Sequence, residues 1–394
     1  MSSGNNRTSV RRKSSEKTEN GLGSFIKNVL LAGGKIDFIF LLIVGVLVIY
    51  GLMMLFSAGS ARAYTMYGDV FYFVKRQAFW VVLGAAAMIG FANFDYHRLG
   101  KKLAGSMYVG CGVLLFLVIA GLGTTVNGAT RWLFGFQPSE IAKIAIIIIF
   151  AYNISTTSGQ KDLKSFKNGF MPYLVLLGIY IILLMLEPHF SCVLLISITA
   201  MAILFVGGVP LKHFGYIMVP ALVGIVVLIA IEPYRMQRVL SFFDPFADAQ
   251  GSGWQIVQSL YAIGSGGVFG VGLGQSKQKF QSLPEPQNDF IFSVVCEELG
   301  LIGAIILILL FAALLIRGIQ IAMKAPDLFG TLLVVGIVGI VTLQALINIA
   351  VVTSSVPVTG MPLPFFSYGG TALCITMAEM GIVLNVSKQT RLPV

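Results

Sequence analysis

The sequence has 394 residues, of which 56% are hydrophobic and only 11% charged. A soluble domain carries roughly a quarter charged residues, so a chain this poor in polar surface cannot be wetted on all sides, and one membrane-embedded helix bundle replaces the two or three soluble domains its length suggests. The net charge of +10 raises nucleic acid as a partner, a reading that the distribution of the charge removes.

Residues 1–34 are polar, rich in Ser, Asn, Lys and Arg, and show no helical stripe; they read as a disordered cytoplasmic tail. A spanning helix needs about 20 mostly apolar residues, and the first such run is Phe38–Ala61. Ala61-Arg62-Ala63 resembles a signal-peptidase site, but the long polar segment before it and the length of the run favour a retained helix. Further runs follow at 77–94, 103–122, 138–155, 170–187, 190–208, 214–231 and 290–316. The uncharged stretch Leu328–Ala378 is too long for one span. Pro357, Gly360, Pro362 and Pro364 divide it into helices at 328–352 and 366–386, because proline inside a helix removes a hydrogen bond and clashes with the preceding turn. The expectation is an all-α integral membrane fold of ten transmembrane helices spanning residues 35–388, with a short C-terminal segment at 389–394.

With the N-terminus placed in the cytoplasm, 18 of the 27 Lys and Arg fall on the inner side, in the tail, in the short loops around Arg98, Lys164, Lys212 and Arg317, and at Lys388 and Arg391. That asymmetry is the positive-inside signature. Both termini are then cytoplasmic, and the excess charge faces the lipids of the inner leaflet with no nucleic acid involved. The four cysteines lie far apart in apolar runs and read as packed thiols; the three histidines show no zinc-ligand spacing.

The same orientation puts the long segment Glu232–Asp289, between the seventh and eighth spans, outside. A loop of this length in a compact bundle is usually functional. It carries Arg235, Arg238, Lys277 and Lys279 and a glycine-dense run from Gly264 to Gly274. Two readings stand here: glycine N–H groups and cations that cradle a phosphate-bearing headgroup, or a flexible loop snorkelling its cations to lipid phosphates. Asp289 closes the segment at the membrane edge. It suits an N-cap, and equally a desolvated general base. Glu297 and Glu298 lie deeper in the same helix, where a carboxylate costs about 2.5–3.5 kcal/mol and needs a partner, a proton or a wet cavity. In the fourth span Glu140 and Lys143 share one helix face near its outer end. They read either as a structural salt bridge or, with Arg131 and Asp289 at the same level, as the wall of a polar cavity open to the outer leaflet.

These residues carry a resemblance. Tyr72-Phe73-Val74-Lys75-Arg76-Gln77 with Trp80, Asn127-Gly128-Ala129-Thr130-Arg131-Trp132, Gln137-Pro138-Ser139-Glu140 with Lys143, and Gly253-Trp254-Gln255 with Gln258-Ser259 resemble signatures of the shape, elongation, division and sporulation family (FtsW, RodA, SpoVE). So do Gly272-Leu273-Gly274-Gln275-Ser276, Leu283-Pro284-Glu285, Asp289-Phe290-Ile291-Phe292, Glu297-Glu298-Leu299-Gly300 and Pro362-Leu363-Pro364-Phe365-Phe366-Ser367-Tyr368-Gly369-Gly370. The Phe-Val-Lys-Arg-Gln segment leans toward the division or sporulation branch.

The resemblance implies a peptidoglycan glycosyltransferase that polymerises lipid II into glycan at the outer face of the cytoplasmic membrane. It places the catalytic carboxylate on Asp289 and substrate contacts on Arg131, Trp132, Glu140, Lys143, Gln258, Lys277, Lys279 and Glu285. Arg131, Lys143 and the loop cations would meet the developing diphosphate charge, with Glu140 orienting Lys143. It implies as partners lipid II, the nascent glycan, a class B penicillin-binding protein, other divisome proteins and membrane lipids. Diphosphate chemistry admits a divalent cation, Mg or Mn, for which the sequence shows no dedicated cage. One departure stands out: where the family often has an acid after the proline following the fifth helix, this chain reads Glu187-Pro188-His189. A lipid flippase and a non-catalytic recruiter of a transpeptidase are the alternatives.

Overall fold

The computed structural model describes residues 36–126, 129–156, 163–231, 233–251, 253–281 and 283–390. The expected tail at 1–34, the family signature Asn127-Gly128 and the end of the C-terminal segment lie outside these residues.

The described residues are mostly helical. In order come α1 (Phe38–Tyr67), α2 (Tyr72–Asn93), α3 (Leu99–Leu122), a short hairpin of β1 (Thr124–Val126) and β2 (Ala129–Trp132), α4 (Pro138–Ser155), α5 (Phe166–Leu186), α6 (Phe190–Val206) and α7 (Leu211–Ile231). Then follow α8 (Pro233–Phe243), α9 (Trp254–Gly266), the single turn α10 (Gln278–Gln281), α11 (Ile291–Met323), α12 (Leu328–Val352) and α13 (Gly370–Gln389). Among the described residues, eight helices are long and apolar enough to cross a membrane; the shorter apolar α6 and the apolar α7 fall at the other two expected spans. α1 runs unbroken through Ala61-Arg62-Ala63, with Ala63 fully buried.

α4 and α12 are the most deeply enclosed, and their apolar faces form the centre of the core with α6 and α11. The uncharged stretch divides as the prolines require: α12 ends at Val352, a non-helical segment occupies 353–369, and α13 starts at Gly370. α13 lies along α2 so closely that a β-carbon on Gly381 would sit 2.4 Å from the Met88 carbonyl oxygen. At the end of the bundle opposite Asp289, His97 lies 2.7 Å from both Asp95 and Asp327, which clasps the α2–α3 turn to the start of α12.

The segment 232–289 is not the flexible loop its composition suggests. It folds into α8, α9 and α10, and α9 packs on α11. The glycine run answers to a break in α11 and not to an anion. Gly300 adopts φ 66°, ψ −163° inside that helix, which frees backbone groups that hydrocarbon cannot satisfy. The glycine segment satisfies them: Val271 and Gly272 donate to the carbonyls of Glu297 and Glu298 at 2.9 and 3.0 Å, and Leu301 donates to Gly267 at 2.9 Å. Only glycine permits this approach, since a β-carbon on Gly300 would fall 2.3 Å from the Gly270 nitrogen.

The same segment neutralises the two deep carboxylates. Glu297 accepts from the Ser276 hydroxyl and, at 2.8 Å, from the Lys277 backbone nitrogen. Glu298 pairs with Lys279 at 2.7 Å, with side chains 0% and 1% exposed, and both bind the Ser57 hydroxyl of α1. The insertion cost expected for these acids is offset by partners that sequence spacing does not reveal.

Candidate functional site

The outer end of α11 is built around Asp289. The helix starts one residue after Phe290, and no side chain caps it. The Asp289 carboxylate is therefore not spent as an N-cap. Its backbone is held at three successive residues by the non-helical segment 353–369 and by α12. Tyr368 donates to the Gln287 carbonyl at 2.8 Å, Ser367 to the Asn288 carbonyl at 2.7 Å, and Asn348 to the Asp289 carbonyl at 2.8 Å. Asn348 also donates to Met361 at 2.7 Å. Gly360 passes close by, where a β-carbon would lie 3.4 Å from Asp289 Oδ2.

The carboxylate's surroundings tune it. Burial, reinforced by the negative charge of Glu285, pushes Asp289 up to about 6 against the opposing pull of Arg238 and Arg131. Arg238 is anchored by a 2.8 Å bond to the Val358 carbonyl. Arg131, at the end of the hairpin, donates to the Glu187 carbonyl at 3.3 Å and to the Pro188 carbonyl. Glu285 sits in a left-handed conformation (φ 48°) between Arg62 at 3.2 Å and the Asn288 amide at 2.7 Å.

Glu140 and Lys143 form a buried pair at 2.7 Å near the start of α4. Lys143 also donates to Gln344 Oε1 at 3.0 Å, and the Gln344 amide continues to the Pro362 carbonyl at 2.9 Å. A chain of contacts thus runs from α4 through α12 into the same segment that fixes Asp289.

The remaining residues assigned to substrate divide. Trp132 is half-buried in the hairpin, where its carbonyl accepts from Thr124. Gln258 is buried on α9, beside Ser259, which bonds Ser293 and the Val352 carbonyl. Lys277 is exposed. Lys279 is a correction to the sequence reading: its ammonium is enclosed against Glu298 and Ser57, a fixture of the broken helix and not a cation offered to a diphosphate. The side chain of Arg235 lies outside the described residues. Asn348 and Gln344 escaped the sequence reading. Their only signal was an amide inside an otherwise apolar run.

The α5–α6 turn adds a further feature. Glu187 is buried with neither carboxylate oxygen hydrogen-bonded, and burial pushes it up to about 8 with Arg131 opposing. His189 is pushed down to about 3 by burial and by the charges of Arg131 and Lys143, so its ring is neutral. Among the described residues, no three His, Cys, Asp or Glu side chains converge to hold a metal ion.

Comparison with known proteins gives this arrangement its family. The model of a family described as "Cell cycle protein", built on FtsW, RodA and SpoVE, matches residues 37–392. The chain is 42% identical over 362 residues to "Stage V sporulation protein E" of Bacillus subtilis (strain 168), covering 90% of this chain and 98% of that one. It is 40% identical over 360 residues to "Probable peptidoglycan glycosyltransferase FtsW" of Geobacter sp. (strain M18), covering 90% and 97%. Among solved structures it superposes on a chain from a study of polymerization and crosslinking by a peptidoglycan synthase complex, with TM-score 0.74, 29% identity and coverage of 89% and 97%. It also superposes on the rod shape determining protein RodA of Thermus thermophilus, with TM-score 0.64, 27% identity and coverage of 91% and 98%. The chain is a multi-pass bacterial membrane protein. It belongs to the FtsW/RodA/SpoVE family.

Proposed function

We propose that the chain is a peptidoglycan glycosyltransferase that polymerises lipid II at the outer face of the cytoplasmic membrane, in division or sporulation, with both termini in the cytoplasm. The observation that carries this reading is Asp289: a carboxylate held by its backbone at the outer end of a broken helix, flanked by two arginines and pushed toward neutrality. A hydroxyl of one lipid II attacks the anomeric carbon of another as Asp289 takes the hydroxyl proton. The bond from that carbon to the diphosphate oxygen breaks, and the polyprenyl diphosphate leaves with the electron pair. A base with a pKa near 6 is deprotonated at neutral pH and still accepts a proton in the transition state. Arg131 and Arg238 are the cations positioned to offset charge as it moves to the diphosphate. Lys143, already bonded to Glu140 and Gln344, acts by holding α4, α12 and the 353–369 segment in register.

Mg or Mn would travel with the diphosphate, since the described residues offer no cage of their own. The partner is a class B penicillin-binding protein that cross-links the strands, with further divisome proteins around it; the structural relative from a polymerization and crosslinking complex supports this choice. The test is polymerisation of purified lipid II by the chain with its cognate transpeptidase. Glycan strands support the reading. Lipid II carried between leaflets with no strand formed would make the protein a flippase, and neither activity would leave it a recruiter.

A further inference from the structure

Eight polar atoms on the segments around Asp289 are buried without a hydrogen-bond partner: Glu187 Oε1 and Oε2, His189 Nδ1, Ser139 Oγ, Thr359 Oγ1 and Asn348 Oδ1, with Gln287 Oε1 and Asn288 Oδ1 beside Asp289 in the chain. Glu187, Ser139 and Asn348 are 2%, 0% and 1% exposed. The first six atoms come from four separate parts of the fold: the α5–α6 turn, the start of α4, α12 and the 353–369 segment. Fixed contacts draw those parts together. Ser191 donates to the Thr359 carbonyl, Cys192 touches the Ser139 carbonyl at 4.0 Å, and Arg131 binds the carbonyls of Glu187 and Pro188. Arg131 is close enough to act electrostatically on Glu187, His189 and Asp289 alike.

Buried polar atoms are almost always bonded, and an orphan costs about 1–3 kcal/mol. So many in one place mark a surface shaped for something polar that arrives. The chemistry of the orphans says what. The amide oxygens only accept hydrogen bonds, Glu187, largely protonated at neutral pH, offers one acceptor oxygen and one O–H, the neutral imidazole adds an acceptor whenever its proton sits on Nε2, and the two hydroxyls serve either role. A diphosphate, rich in acceptors and with few donors, is mismatched to the acceptor-only amide oxygens of Asn348, Gln287 and Asn288. A neutral ring bearing hydroxyl and amide N–H donors is matched. We infer that this polar cluster receives the sugar of the lipid-linked substrate and not its diphosphate, with Glu187 and the orphaned amide oxygens accepting from the sugar's hydroxyl or amide groups. The inference rests on the glycosyltransferase reading and moves the diphosphate to the Arg131–Arg238 side of Asp289.

The test measures equilibrium binding of two probes to the chain–transpeptidase complex: lipid II, and undecaprenyl diphosphate, which has the same diphosphate and tail but no sugar. Glu187→Leu is expected to weaken lipid II binding about tenfold, the upper end of what one neutral hydrogen bond is worth, and to leave undecaprenyl diphosphate binding unchanged. Thr359→Val is the second variant, for use if Glu187→Leu does not fold, and is expected to show the same selectivity with a smaller effect. Equal weakening of both probes overturns the inference, because the cluster then serves the diphosphate. Unchanged lipid II binding also overturns it, because ordered water then suffices for the orphans. Wild-type complex that binds lipid II selectively through Glu187 but forms no glycan would sink the proposed activity and leave the sugar site standing.

Discussion

The side-chain amide of Asn348 donates to the backbone carbonyl of Asp289 at 2.8 Å and to that of Met361 at 2.7 Å. One buried amide thus joins α12, the start of α11 and the 353–369 segment, and sets where the Asp289 carboxylate stands. Asn348→Leu removes both bonds and orphans two carbonyls, at about 1–3 kcal/mol each. We expect lower thermal stability, a polymerisation rate at saturating lipid II reduced about tenfold or more, and a displaced acid limb in the pH–rate profile. A purely structural role would lower the yield of folded protein and leave the limb of the surviving enzyme where it was.

The pH dependence follows from Asp289, pushed up to about 6. The base works when deprotonated, so polymerisation rises through about pH 6 and is flat above it until another group titrates. The stability effect runs the opposite way. A carboxyl raised above its ordinary value contributes stability that is complete below the ordinary carboxylate range and is lost as pH climbs through 6. At neutral pH Asp289 therefore costs about 2–3 kcal/mol. Asp289→Asn should raise the melting temperature at pH 7.5 while removing activity, which thermal scans of both proteins would check.

The Glu140–Lys143 pair changes the meaning of a lysine knockout. A role for Lys143 at the developing diphosphate charge, as the family resemblance implies, would have Lys143→Ala remove activity at normal protein levels. The buried contacts to Glu140 and Gln344 predict instead that it strands a carboxylate and costs about 3–5 kcal/mol. The double variant Glu140→Gln with Lys143→Met should recover much of that stability but little activity. A melting temperature for Lys143→Ala equal to wild type would show the pair to be a weak structural element.

Gly300 gives the sharpest backbone test. Gly300→Ala places a β-carbon 2.3 Å from the Gly270 nitrogen at φ 66°, and neither segment can yield without losing the bonds that splint α11. Folded protein should fall steeply in membrane fractions. Gly339, whose β-carbon would meet nothing within 4 Å, is the control: Gly339→Ala should accumulate normally.

Much of this was legible in the sequence, and the limits have physical causes. Each apolar run declares itself because hydrocarbon demands it, and the proline cluster at 357–364 marks a break because its backbone chemistry is local. Asp289, Arg131, Glu140 and Lys143 were visible as charges out of place at one depth. The break at Gly300 was not, since hydropathy reads Ile291–Met323 as one helix; the glycine run that splints it then looked like an anion cradle. Lys279 looked like a loose cation because Glu298, its partner, makes a bridge that only the folded backbone creates. Asn348 and Gln344 are meaningful only through carbonyls on another segment, and no spacing rule reaches them. α1 continues past Ala61, and Arg62, which seems to end the run, pairs with Glu285.

The most direct measurement is the rate of glycan formation from purified lipid II by the chain–transpeptidase complex, wild type against Asp289→Asn, with melting temperatures recorded on the same preparations. The account predicts strands from the wild type and none from Asp289→Asn, with the variant at least as stable as the wild type at neutral pH. Polymerisation by Asp289→Asn at the wild-type rate would contradict it.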